Sequence, residues 1–415
     1  MNRVVITGLG SITPGGNTAS ELWRSLEQGS SSISPLGPEH TALRFSRAGQ
    51  VGALDLSHLN HAQVATSERS AQMGLLAARQ ALREAPLPAL YPADRIALIL
   101  GCSTNGRQAE EPEIAKVYTQ DARVHPLTIP RSMASNGTSQ IAIDHAITGP
   151  AFTISTACAS GAHAIGLAFQ MVRSGMVAAA LAGAHEAPLT KAFLRAWDSM
   201  RVVSPTQCRP FSADRDGMTL AEGAAMLTLE TLASAQARGA HIYAEILGFG
   251  MSTDAHHITQ PKVEGPEQAI RACLRDAADT LRETAQPGTA QSLMEQIAYV
   301  NAHGTATQAN DATEDAALRA VFGERAARLP VSSTKGFLGH SLGASSAIEA
   351  LITALALHHR RMPFTGGTTI VDPTLGIDVI LGASRPMPPT GPVLALSNAL
   401  AFGGLNAILC LRSAP

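Results

Sequence analysis

Short apolar runs recur along the chain: "RVVITGLG" near the N-terminus, then "RIALILGC", "AFTIST", "VAAALAGA", "AEILGFG", "QIAYVNAHG", "RLPVSS" and "VLALSNA". These runs are largely uninterrupted by polar positions, the pattern of strands buried on both faces. Between them lie Ala- and Leu-rich stretches with helical spacing. In Ser67–Ala85, "SERSAQMGLLAARQALREA", apolar residues recur three and four apart, which predicts an amphipathic helix. Buried strands alternating with helices predict an α/β fold.

The pattern also repeats. "VVITGLGSITPGG" resembles "AEILGFGMSTDAH", and "DRIALILGCST" resembles "EQIAYVNAHGT". "ISTACASGAHAIG" resembles "SSTKGFLGHSLGASSAI", with Ser-Thr at a strand end followed by a glycine-punctuated entry into an Ala-rich helix. Three matches in one order predict a duplicated βα unit, with halves at 1–240 and 241–415. No Pro/Ser-rich linker separates them, so one compact body is expected.

Composition then narrows the functional classes. A net charge of −2 gives no basic footprint for nucleic acid. No apolar run approaches the ~18–20 residues of a membrane span, and "MNRVVITGLG" lacks a signal peptide's long apolar stretch. The cytoplasm is the expected compartment. The five cysteines, without CxxC spacing, argue against a disulfide framework or a zinc site.

Candidate chemistry begins at "FTISTACASGAHAIG", where Cys158 follows a strand and opens a helix expected to run to about Ser174. A free cysteine is commonly a small core hydrophobe. A helix N-terminus, however, lowers a thiol pKa and can hold an oxyanion, so packing and nucleophilic roles both stand at this point. "NAHGTATQAND" places His303 just beyond a buried strand. "SSTKGFLGHSLGASSAIEA" places Lys335 and His340 on a loop entering the counterpart of the Cys158 helix. Strand ends related by duplication converge, so one cysteine, two histidines and a lysine are expected to meet.

Here the sequence resembles the condensing enzymes of the thiolase fold, specifically β-ketoacyl-[acyl-carrier-protein] synthases of the II type. "TACASG", "PFSADRDGMTLAEGAA", "NAHGTATQANDATE", "STKGFLGHSLGASSAIEA" and "SNALAFGGLNA" follow the family's order across essentially the whole chain. The resemblance implies two duplicated halves in five alternating layers, α-β-α-β-α. It also implies decarboxylative condensation of an acyl group on Cys158 with a malonyl-carrier protein, in fatty acid or specialised polyketide synthesis.

Site residues follow by resemblance. Cys158, His303 and His340 match the catalytic triad, and Lys335 and Glu349 match an ion pair that organises it. The backbone N–H groups of Cys158 and Phe402 match an oxyanion hole, with Phe402 and Gly403 in a gate. Thr305 and Thr307 match hydroxyls that bind the phosphopantetheine arm, which is carried by the partner and is not a cofactor of this chain. Asn301, Ala302, Glu349, Ser397 and Asn398 match a monovalent-cation site of some members. The implied partners are an acyl carrier protein and a second ketosynthase-like chain, in a homodimer or a heterodimer with a chain-length factor. The strand around "AFTIST" is expected to pair across that dimer.

Departures bear on substrate and carrier. The gate reads Ala401-Phe402-Gly403-Gly404-Leu405-Asn406 where the family has Gly-Phe-Gly-Gly-Thr-Asn. Alanine's narrower backbone freedom implies a restricted gate. In the acyl-pocket loop, Ser103 and Thr104 replace a bulky apolar residue, which favours longer or specialised chains. Arg69 stands almost alone in a segment expected to meet an acidic carrier.

Rival readings remain at the level of motif. "GHSLG" fits G-x-S-x-G with Ser341 as a hydrolase nucleophile, but "TKGFL" separates it from its strand and only His358 and His359 follow. Cys410 lacks the surroundings of a coenzyme A thiolase. A non-catalytic chain-length partner would lack the cysteine that this chain retains. "DRDG" (Asp214–Gly217) is half a calcium loop, and His256 and His257 lack a third ligand.

Overall fold

The computed structural model describes residues 1–283 and 290–415. Eleven strands form one mixed sheet: β1 (Val4–Ile12), β2 (Ile96–Gly101), β3 (Ala151–Ile154), β4 (Ala179–Glu186), β5 (Gly223–Thr231), β6 (Ala244–Thr253), β7 (Ile297–Asn301), β8 (Pro330–Ser332), β9 (Asp378–Val379), β10 (Leu394–Ala401) and β11 (Leu405–Ser413). Their spatial order is β9-β8-β7-β10-β11-β6-β1-β5-β4-β2-β3. Read outward from the centre, β1-β5-β4-β2-β3 mirrors β6-β11-β10-β7-β8, so the repeated strands occupy equivalent places. The two arrays meet where Val4, Val5 and Ile6 pair antiparallel with Ile246, Glu245 and Ala244.

The uninterrupted apolar runs are explained by burial. Every residue of β1 and β4 is buried, because helices cover both faces. Helices α1 (Arg69–Glu84) and α3 (Asn136–His145) flank the N-terminal array, and α2 (Arg107–Gln120) lies beyond β2. Helix α4 (Ser160–Arg173) enters the middle of the molecule, and α5 (Lys191–Met200) follows β4. Helices α6 (Glu264–Glu283) and α7 (Gln308–Phe322) cover the C-terminal array, whereas α8 (Ser345–His359) packs with α4 between the two arrays. The result is the five-layered thiolase fold.

The amphipathic helix lies where its spacing predicts it, and Glu68 caps α1 by accepting from the Ser70 and Ala71 N–H groups. The central helices carry small residues because they cross at close range. A Cβ on Gly161 of α4 would stand 2.6 Å from the Ala347 nitrogen of α8. That crossing places the chain before α4 beside the chain before α8. The largest core, including Leu9, Ile99, Ile165, Phe169, Leu351 and Leu409, fills this middle layer. No described helix is long and apolar enough to cross a membrane.

Candidate active site

Cys158 sits on a sharp turn. Ala157 before it takes a left-handed conformation, φ +48°, which is unusual for a residue with a side chain. Ser160 holds the turn: its Oγ accepts from the Thr156 N–H at 2.9 Å and donates to the Ala157 carbonyl at 2.6 Å. Helix α4 starts at Ser160, two residues past the thiol, and ends at Arg173.

His303 leaves the end of β7 on a loop clamped by Glu314 of α7. This buried carboxylate accepts the His303 and Gly304 N–H groups, each at 2.9 Å, and the Asn398 side-chain amide at 3.0 Å. His340 is clamped from the other side. Its N–H donates to the Thr219 carbonyl, and its own carbonyl accepts from the Ala221 N–H at 2.9 Å. The "TLAEG" part of "PFSADRDGMTLAEGAA" therefore acts as a backbone brace for the histidine loop.

These loops bring His340 Nε2 to 3.1 Å from Cys158 Sγ. The two imidazoles meet edge to face, with centroids 5.4 Å apart. One ligand atom from each of Cys158, His303 and His340 lies within 4.8 Å of the others. Lys335, in the one-turn helix Lys335–Leu338, donates to the His303 carbonyl at 2.6 Å and to Glu349 of α8. Ser345 and Glu349 lie one turn apart on α8, so one helix face holds both His340 and the Lys335 ion pair.

Burial dominates the electrostatics. It holds both imidazoles well below the usual histidine range, and the Lys335 charge adds to the effect. Burial also pushes Glu349 up, against the attraction of Lys335. The Cys158 thiol is pushed up to about 11 by burial, although Lys335 and the N–H groups of Phe402 and Cys158 pull it down. This corrects the expectation from the helix N-terminus. Desolvation of the thiolate outweighs the dipole when the sulfur is buried and lies two residues ahead of the helix. Alkylation of the resting enzyme by iodoacetamide, mapped to Cys158, is accordingly expected to rise about tenfold per pH unit from 7 to 10. A plateau near neutrality would instead reveal a preformed thiolate–imidazolium pair.

Cys158, His303 and His340 open onto a narrow cavity of about 60 Å³, also lined by Thr305, Thr307 and Phe402. The Thr305 and Thr307 hydroxyls lie 2.9 Å apart. Phe402 stacks on Trp197 of α5, with ring centroids 6.0 Å apart, and Gly403 donates to the Ile258 carbonyl at 2.8 Å. Gly403 (φ +84°) and Gly404 (φ +71°) carry the left-handed turn. Ala401 lies within β10, where alanine is unstrained, so the substitution imposes no backbone cost on this arrangement.

Other sequence expectations resolve differently. Ser103 and Thr104 do not line that cavity. Their N–H and hydroxyl groups close around the buried Glu186 carboxylate, which the Gly343 N–H also reaches at 3.2 Å. Arg69 is engaged with Glu222 through Nε at 2.8 Å and Nη2 at 2.6 Å, so it is a structural residue rather than a free basic contact. Ser341 contacts Ser345, and among the described residues no imidazole hydrogen-bonds its hydroxyl, while Lys335–Leu338 intervenes after β8; the nucleophile elbow is not formed. Asp214 and Asp216 pair with Arg209. Sequence reasoning missed Ser345, Glu314, Glu186 and Trp197. The signals for Glu314 and Ser345 were present, since they fall in the quoted "NAHGTATQANDATE" and "STKGFLGHSLGASSAIEA", whereas Glu186 and Trp197 depend on contacts distant in sequence.

Comparison with known proteins agrees with this geometry. Residues 1–235 match the family described as beta-ketoacyl synthase, N-terminal domain, and residues 243–369 match its C-terminal domain. The chain is 38% identical to Nodulation protein E of Rhizobium sp. (strain N33), covering 99% of each. It is 36% identical to 3-oxoacyl-[acyl-carrier-protein] synthase 2 of Staphylococcus aureus (strain COL), over 99% of this chain and 98% of that one. The solved ishigamide ketosynthase/chain length factor superposes with a TM-score of 0.90 at 32% identity, with both chains fully covered. A thiol and two neutral imidazoles at the end of a duplicated sheet, matched over the full chain, identify this protein as a member of the β-ketoacyl synthase family, a condensing acyltransferase.

Proposed function

We propose that Cys158 accepts an acyl group from a carrier-protein thioester and that His303 and His340 drive decarboxylation of a malonyl-carrier thioester. The carbanion equivalent left by loss of carbon dioxide then attacks the acyl-cysteine carbonyl and expels the Cys158 thiolate, giving a 3-oxoacyl-carrier product. The observation that carries this reading is the 3.1 Å approach of His340 to the thiol beside a second neutral imidazole. Each neutral imidazole can donate one hydrogen bond to the enolate without a net change of charge. The N–H groups of Phe402 and Cys158 favour the charged form of the sulfur and suit the developing oxyanion. Thr305 and Thr307 suit the phosphopantetheine arm that the carrier brings. In this reading, residues 1–240 supply the nucleophile and residues 241–415 supply the histidines and the gate.

A monovalent cation fits beside the ion pair. Asn301 Oδ1, Glu349 Oε2 and Asn398 Oδ1 are buried oxygens without a hydrogen-bond partner, a hard donor set of the kind such ions select. Ala302 and Ser397 adjoin them in sequence and complete the proposed site. The ion would offset the buried carboxylate charge and fix the loops that carry His303 and Phe402.

Carrier and partner follow from the surface. With Arg69 engaged, the exposed Lys191 and Arg195 of α5 offer basic contacts on the helix whose Trp197 lines the cavity. The relatives' names, acyl-carrier-protein synthase and ketosynthase/chain length factor, agree with a carrier partner and a paired chain. Strand β3 is an exposed sheet edge, and Phe152 within it is a large apolar side chain left 41% exposed. An exposed edge of this kind invites strand pairing with a second chain. Phe152→Asp is expected to convert the dimer to monomer in light scattering, whereas an unchanged mass would remove β3 from the interface.

The test is loading of Cys158 from a series of acyl-carrier thioesters, read by intact mass and peptide mapping, followed by malonyl-carrier addition. Acylation at another residue, or none with any chain, would overturn the reading.

A further inference from the structure

Ser345 is a buried hydroxyl without a role in the scheme above, and its contacts bear on that scheme. Its Oγ lies 2.7 Å from His340 Nδ1, the ring nitrogen facing away from the thiol. The same Oγ accepts the Ser341 backbone N–H at 2.9 Å and lies 3.3 Å from Ser341 Oγ. Ser345 is only 3% exposed, so these protein groups are its principal surroundings.

Counting protons limits the arrangements. A serine hydroxyl has one O–H and two lone pairs. The Ser341 N–H can only donate and therefore occupies one lone pair. Two arrangements remain. In the first, Ser341 Oγ–H fills the second lone pair and Ser345 Oγ–H points at Nδ1. In the second, Nδ1–H fills that lone pair and the Ser345 proton is directed along the longer contact to Ser341.

The first arrangement puts the hydroxyl proton along the 2.7 Å contact, towards the strongest available acceptor. Ser345 accepts two hydrogen bonds in either arrangement, and these polarise its hydroxyl as a donor; only in the first is that donor directed at the imidazole, a better acceptor than the Ser341 hydroxyl 3.3 Å away. We propose that Ser345 is a positioning residue that fixes neutral His340 as the Nε2–H tautomer, directing its one proton into the cavity. His340 is held neutral by burial and by Lys335, so which nitrogen bears that proton decides whether it can donate towards a substrate. Ser345 supplies the second bond that sets the tautomer, the place a carboxylate or a carbonyl commonly takes beside a functional histidine.

The inference rests on the condensing reading only for its consequence in catalysis; the tautomer itself can be observed without substrate. Long-range ¹H–¹⁵N spectra of the full-length protein, with His340 identified by its loss in His340→Gln, are expected to show a protonated Nε2 and a bare Nδ1. Ser345→Ala is expected to shift that ring to a tautomer mixture and to slow malonyl-thioester decarboxylation about 10- to 100-fold, the scale of losing a preorganised donor. Acyl loading of Cys158 is expected to change less than about threefold, since the N–H groups of Phe402 and Cys158 remain. A protonated Nδ1 in the wild-type protein overturns the inference, even if Ser345→Ala does not fold. So does a Ser345→Ala spectrum identical to wild type. If the wild-type protein shows the Nε2–H tautomer but decarboxylates no malonyl thioester, the condensing reading fails and the assignment of Ser345 stands.

Discussion

Cys158→Ala is expected to lower acyl transfer and condensation by about 10⁴-fold or more, while malonyl-thioester decarboxylation persists. The split follows from the division of labour proposed above. Acyl transfer needs a covalent acceptor, and the sulfur lies on a turn with His340 Nε2 at 3.1 Å and with two backbone N–H groups that favour its charged form. Decarboxylation needs hydrogen bonds to the thioester carbonyl as it becomes an enolate, and those come from His303 and His340. Removing the thiol leaves the imidazoles in place, because Glu314, Thr219, Ala221 and Ser345 hold them. Released carbon dioxide and intact mass measured on one sample would separate the two steps. A variant that still elongates acyl chains would remove Cys158 from the reaction. One that loses both steps equally would show that the thiol also organises the histidines.

Lys335→Met is expected to destabilise the fold by about 3–5 kcal/mol, read as a shift in the urea unfolding midpoint. Lys335 is 1% exposed and Glu349 is 3% exposed, so methionine would strand a buried carboxylate without its cation. It would also remove the donor to the His303 carbonyl. Glu349→Gln added to Lys335→Met is expected to recover a large part of the loss, because no unpaired charge then remains. A loss below about 1 kcal/mol from the single change would show that the carboxyl is already neutral in the native state. Activity is expected to fall in both variants, since the pair fixes the loop that carries His303.

Much of this molecule was legible in the chain. Strand positions showed as unbroken apolar runs because the layered fold buries both sheet faces, a demand every such residue meets locally. The duplication showed because equivalent strands occupy mirrored places in the sheet. Ala401 shows a limit to reading from residue type. In this arrangement the left-handed backbone of the gate falls at Gly403 and Gly404, not at Ala401, so the residue type at 401 does not by itself set the geometry seen here.

The sequence by itself determined the fold, the family and the residues that meet: Cys158, His303, His340, Lys335 and Glu349 all lie in contiguous motifs. Tertiary structure decided what each side chain faces. It turned the expected depression of the Cys158 thiol into an elevation, because desolvation depends on everything packed around the sulfur and not on the helix that follows it. It assigned Arg69 to Glu222, 153 residues away, and closed Ser103 and Thr104 around Glu186. It set Ser345 against His340 and Trp197 against Phe402. Periodicity and motif spacing are local properties of the chain, whereas solvation and hydrogen-bond partnership arise only when distant segments are brought together.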